Sequence, residues 1–116
     1  MSDRHIIRLA GPWARHQPDD SSRSQRITLP DAHDRPAVYR RNFNIPFDLA
    51  THRVFLVIEG LTSAVPVQIN DQTVGAIEPD SDLEITASLG PFNRLTLPCP
   101  AGLKGPVTLQ IHDLTI

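Results

Sequence analysis

The sequence predicts an all-β protein, a sandwich of about eight or nine short, mostly antiparallel strands, and three observations carry that prediction. Eleven prolines and six glycines are spread through 116 residues, and breakers at that density leave room for strands and turns but not for long helices. No stretch of twelve residues keeps apolar side chains at three-and-four spacing, whereas several stretches alternate or run continuously apolar. The continuous runs are rich in β-branched residues, which suit a pleated surface.

Taken in order, the strand candidates are Ile6 to Leu9, Arg26 to Leu29, Val38 to Ile45, Arg53 to Glu59, the segment around Val65, Val67 and Ile69, Leu83 to Ala87, Arg94 to Leu97, and Val107 to His112. The clearest, Arg53-Val54-Phe55-Leu56-Val57-Ile58-Glu59, is apolar on both faces and predicts a central strand covered on two sides. Val65, Val67 and Ile69 alternate with Pro66 and Gln68, and Asn70-Asp71-Gln72 then supplies residues that tolerate left-handed backbone before Val74 resumes. That pattern predicts a tight hairpin. Pro66 has no N–H to give a ladder, so its strand is expected at an edge, or the proline at a non-bonding position. In the last candidate Val107, Leu109 and Ile111 share one face, and Thr108, Gln110 and His112 the other. Gln17 to Gln25 is polar and poor in apolar residues, which predicts an exposed, mobile loop.

The length suits one domain spanning residues 1–116, with enough chain for a core. Cys99 is the only cysteine, so no internal disulfide forms and packing must hold the fold. No apolar run approaches the roughly 18 residues of a membrane span, and the opening MSDRHIIRLAG lacks the layout of a signal peptide. A cytoplasmic location and no membrane partner are therefore expected. The net charge is -2, lysine occurs once and the arginines are scattered, which argues against a nucleic-acid partner.

The order of these signatures resembles the N-terminal sugar-binding-type domain of family-two glycoside hydrolases, the β-galactosidase and β-glucuronidase group. The matching pieces are Leu29-Pro30, Tyr39-Arg40-Arg41-Asn42-Phe43 leading to Ile45-Pro46, and Arg53-Val54-Phe55-Leu56 ending in Glu59-Gly60. They continue with Ala64-Val65-Pro66-Val67-Gln68-Ile69-Asn70, then Val74-Gly75, Glu84-Ile85-Thr86 and Asn93-Arg94-Leu95; Leu9-Gly11-Trp13 is similar to the opening of such domains. The resemblance implies a galactose-binding-like jelly roll that stands without the family's catalytic barrel. Two segments look trimmed beside the family pattern, Ala76 to Asp82 and Cys99 to Gly105.

No catalytic residue is predicted, because the retaining mechanism needs two carboxyls about 5 Å apart across one sugar and the family keeps them in the barrel. Sugar binding needs an apolar face for the ring flanked by polar side chains. Trp13, His33, Asp34 and Arg35 are the candidates for such a site in the end loops, with Trp13 read either as core or as a ligand platform. His33 with Asp31 and Asp34 also reads as a local turn in which Asp caps backbone N–H groups. Glu78, Asp80 and Asp82, followed by Glu84, alternate along one segment and could gather around a structural calcium, or serve as a solvated edge that discourages strand pairing. Phe43 and Phe55 sit in strong strand patterns, while Phe47 and Phe92 fall in turns where they could be exposed. No other cofactor is expected. The functional expectation is a non-catalytic carbohydrate-binding or accessory module; the alternatives are a structural domain that self-associates as a homodimer or binds a protein partner, and an accessory subunit of a separately encoded glycosidase.

Overall fold

Alternation of inward apolar and outward polar side chains sorts the strands into two sheets with one core between them. The computed structural model describes residues 4–114, in which ten strands and one short 3-10 turn are present. One sheet has four strands, β1 (Arg4–Arg8), β10 (Val107–Asp113), β5 (His52–Ile58) and β8 (Asp82–Glu84), adjacent in that order. The other has six, in the order β3 (Asp20–Ile27), β2 (Trp13–Gln17), β4 (Ala37–Asn44), β9 (Phe92–Cys99), β6 (Val65–Ile69) and β7 (Gln72–Ile77). Every pairing is antiparallel. Among the described residues no helix is long and apolar enough to cross a membrane.

The core is filled from both sheets by every second residue. From the smaller sheet come Val54, Leu56, Ile58, Val107, Leu109 and Ile111, and from the larger Trp13, Tyr39, Phe43, Val65, Val67, Ile69, Ile77, Leu95 and Leu97, all buried. Strand β5 does lie inside its sheet, between β10 and β8, but no third layer covers its outer face. Phe55 and Val57 are half-buried there, and the Phe55 ring packs against His112 with centroids 4.9 Å apart. An outward apolar residue is thus sheltered by its cross-strand neighbours rather than by another sheet.

Two other expectations are modified, and for Pro66 the second of the two alternatives holds. Gln17 to Gln25 is no loop: it forms the end of β2, a tight turn and most of β3, an edge hairpin in which His16 pairs with Ser24 across a register shift. Its composition misled because an edge strand overhanging the core needs few apolar residues. Strand β2 itself, with one apolar anchor at Trp13, gave no periodic signal. Leu83 to Ala87 is strand only at Asp82–Glu84 and then turns through the 3-10 segment at Thr86–Ser88. There the Thr86 hydroxyl accepts the Val54 N–H at 2.8 Å, replacing the next rung of the ladder. Pro66 is not on an edge strand, since β6 lies between β9 and β7. The ladder to β9 begins only at Gln68, so the proline faces no β9 partner. The hairpin at Asn70 and Asp71 is as expected, with φ of 53° and 67°.

The end of the sandwich that carries the 31–36 loop is closed by the segment after β9. Leu103 is fully buried and its carbonyl accepts the Asp31 N–H at 3.3 Å. Gly102 permits that approach: its φ is +79°, and a Cβ there would sit 1.9 Å from the His33 carbonyl oxygen. Gly102→Ala should therefore cost roughly 2 kcal/mol or more in a thermal or urea melt. Gly90→Ala, where a Cβ meets nothing within 4 Å, should change stability by less than about 0.5 kcal/mol.

Candidate functional site

At the same end, a part-buried ion pair fixes the loop that the sequence singled out. Arg15 on β2 and Tyr39 on β4 are cross-strand partners pointing inward, and both reach the carboxylate of Asp31. The Arg15 guanidinium donates to Asp31 Oδ2 at 2.6 Å and the Tyr39 hydroxyl to the same oxygen at 2.7 Å. The second Arg15 nitrogen donates to Gln25 Oε1 at 2.5 Å, and the His33 N–H closes a turn onto Asp31 Oδ1 at 3.3 Å. Burial pushes the Asp31 carboxyl up, and the bonds from Arg15, Tyr39 and the His33 N–H outweigh it, so its pKa falls below the ordinary 3.8. The hydrogen bond to Asp31 raises that of Arg15. Burial, then the bond to Asp31, raises that of Tyr39 from 10.0. Both oxygens of the Asp31 carboxylate are engaged by Arg15, Tyr39 and the His33 N–H, which makes the cluster a structural clamp.

The predicted binding residues around the clamp do not converge. Trp13 is 1% exposed and its indole N–H donates to the Leu9 carbonyl at 2.6 Å, so its ring is core and not a platform. His33 is half-buried and lines a cleft of about 430 Å³ with Arg15, His16, Asp20, Arg23 and Gln25. Asp34 and Arg35 stand exposed on the loop. Glu78, Asp80 and Asp82 are exposed around the β7–β8 turn. Among the described residues no three His, Cys, Asp or Glu side chains gather closely enough to hold a metal ion.

A more complete arrangement lies at the opposite end of the larger sheet. Phe92, the first residue of β9, is 74% exposed. It pairs with Asn44, and the next outward pair is Arg94 with Asn42. These four, with Asn70, Asp71 and Asn93, line a cleft of about 420 Å³. Its floor is rigid. Buried Asn93 bonds both the N–H and the carbonyl of Gly90, at 2.9 and 2.8 Å, and accepts from the Asn70 amide at 3.2 Å. Asn70 in turn accepts the Arg94 N–H at 2.9 Å and gives its own backbone N–H to the Arg94 carbonyl. Asn70 and Asn93 thus hold the platform, while the exposed side chains of Asn42, Asn44, Asp71 and Arg94 surround the Phe92 ring. A flat apolar ring beside amide, carboxylate and guanidinium groups can stack on a sugar ring and bond its hydroxyls.

Similar architecture occurs in solved structures. A β-glucuronidase from Dictyoglomus thermophilum aligns over 95% of this chain with a TM-score of 0.80 and 13% identity. The Bifidobacterium dentium β-glucuronidase, complexed with coumarin-3-O-glucuronide, aligns over 95% with a TM-score of 0.75 and 16% identity. The fold is that of a domain within β-glucuronidases. A putative β-galactosidase from Bacteroides fragilis shares it as well, over 93% of the chain with a TM-score of 0.73 and 17% identity. The chain spans only 28%, 30% and 23% of these three proteins. These are the enzymes that the sequence resemblance indicated, and the likeness concerns the β-glucuronidase-domain fold alone. No family model matches the sequence, and no curated protein does.

The sequence left the Phe92 cleft unassembled, although Pro91-Phe92-Asn93 offered a signal: an aromatic residue beside proline at a strand entry. Asn42, Asn44 and Asp71 come from three separate segments and carry no motif.

Asp31→Asn should destabilise the protein by roughly 1–2 kcal/mol, because it leaves the part-buried Arg15 charge without its partner. The pH dependence follows from the direction of each shift. The Asp31 contribution is complete above about pH 5 and is lost as pH falls below 3.8 toward the lower folded-state value. The Tyr39 contribution is complete below pH 10.0 and is lost as pH rises through the higher folded-state value. Urea melts across pH should show both flanks in the wild type and loss of the acid flank in Asp31→Asn; an unchanged acid flank would show that the clamp carries no such linkage.

Proposed function

We propose that the protein is a non-catalytic carbohydrate-binding module that takes its ligand at the Phe92 cleft. The observation that carries this reading is the 74% exposure of Phe92 beside Asn42, Asn44, Asp71 and Arg94 on a floor fixed by Asn70 and Asn93. A large exposed aromatic on a rigid strand entry has no packing role, and the groups around it match the hydroxyl pattern of a sugar better than an apolar ligand. The shared fold with β-glucuronidases gives the accessory role a context: the module would hold a glycan while hydrolysis occurs outside this domain. An open cleft of this size and one aromatic contact suit weak binding, with dissociation constants of about 0.1–10 mM.

An assembly role rests on a different surface. On the outer face of the smaller sheet, Ile6 is 58% exposed in one cross-strand row with Gln110, Phe55 and Glu84. A second copy placed there would bury Ile6, and light scattering would report a dimer.

Titration of neutral di- and trisaccharides into labelled protein should shift the amide resonances of Phe92, Arg94 and Asn44, and Phe92→Ala should weaken that binding at least about tenfold. Its melting temperature should stay nearly constant, because the ring is exposed. A glycan screen at millimolar concentration that leaves these resonances unmoved would remove the reading.

A further inference from the structure

Beyond the Phe92 ring, the outer face of the larger sheet is cationic. We infer that the glycan recognised here is anionic, an oligosaccharide whose carboxylate or sulfate groups lie along Arg94, Arg40 and Arg26 while one ring stacks on Phe92. The inference rests on the carbohydrate reading above and names the ligand class.

The register builds the surface. Arg26 on β3, Ala14 on β2, Arg40 on β4 and Thr96 on β9 form one outward row, and Asn42 with Arg94 lies in the adjacent row. Ala14 leaves a trough between two long arginines. The resulting cleft, about 720 Å³, is lined by Arg26, Arg40, Arg41 and Arg94, and no Asp or Glu lines it. Among the described residues the only ion pairs within 4 Å are Arg15 with Asp31 and His52 with Asp113, so none of these four arginines has a carboxylate partner. The Nε atoms of Arg40 and Arg41 are buried without a hydrogen-bond partner. Partial burial also lowers the pKa of Arg41, and its guanidinium donates to the Pro12 carbonyl at 3.1 Å.

Four like charges gathered on a chain whose net charge is -2 repel one another, and that repulsion is relieved when an anion enters. Guanidinium groups suit planar or tetrahedral oxyanions, which they can grip through two nitrogens at once. The cleft shares Asn42 and Arg94 with the Phe92 site, so one extended ligand can occupy both. That continuity favours an oligosaccharide over an acidic peptide, since the amides and single aromatic ring at the Phe92 end suit a pyranose.

The test uses trigalacturonic acid and its carboxyl-reduced, neutral counterpart, titrated calorimetrically at low salt into the wild type, Phe92→Ala and the double variant Arg26→Gln/Arg40→Gln. The acid should bind about tenfold more tightly than the neutral trisaccharide. The preference should shrink in 0.5 M NaCl and shrink again in the double variant, which keeps its affinity for the neutral sugar; Phe92→Ala should weaken both ligands. Equal affinity for the two sugars, or a preference undiminished in the double variant, overturns the anionic assignment and leaves the carbohydrate reading standing. Binding of neither sugar removes both. A poly-glutamate peptide that binds as tightly as the acid, with Phe92→Ala unaffected, replaces the glycan with an acidic protein partner and also overturns the assignment.

Discussion

Side-chain alternation along β4, β5, β9 and β10 sends every second residue into the space between the sheets, and the need to fill that space with apolar groups shapes the rest of the molecule. Val54, Leu56, Ile58, Leu95, Leu97, Leu109 and Ile111 are each at most 2% exposed, and burying them supplies the main driving force for folding. Trp13 and Tyr39, two of the aromatic side chains best suited to recognition, are consumed in the same space. Recognition is left to residues that the core does not claim: those on the outer sheet faces and at the strand ends.

The two ends of the sandwich solve different problems. At one, an inward arginine would be costly without a partner, and Asp31 meets it from the loop after β3 while Gly102 and Leu103 press that loop down. At the other, no charge is buried, and a lattice of Asn70, Asn93 and backbone groups holds the entry of β9 in place. A side chain at such an entry is fixed in position yet free of packing duty, which is the condition a binding platform needs. The cationic face between β3 and β9 extends that platform. Its arginines lie on β3, β4 and β9, and the order of the strands in space, β3-β2-β4-β9, is far from their order in the chain.

Strands with strong internal pattern were legible in advance: β4, β5, β6, β9 and β10 appear close to where alternation or β-branched runs placed them. Segments governed by a neighbour were not. The β2–β3 hairpin reads as polar loop because its edge position removes the demand for apolar residues, and the Thr86 turn depends on a hydroxyl reaching Val54 across 32 positions of sequence. The candidate site shows the same division. Phe92 could be named as an aromatic in a turn, but its companions Asn42, Asn44 and Asp71 could not, since the polar residues of a cleft need share no spacing in the chain.

The sequence by itself determined the all-β class, the tight hairpin at Asn70 and Asp71 and the inward faces of the main strands, because each depends on a two-residue period or a local backbone preference that the chain carries with it. Only the tertiary structure decided that Trp13 is core, that Asp31 closes a clamp and that Arg26, Arg40 and Arg94 share the outer face. Those outcomes rest on which strands become neighbours, and strand neighbours are chosen by the whole core at once.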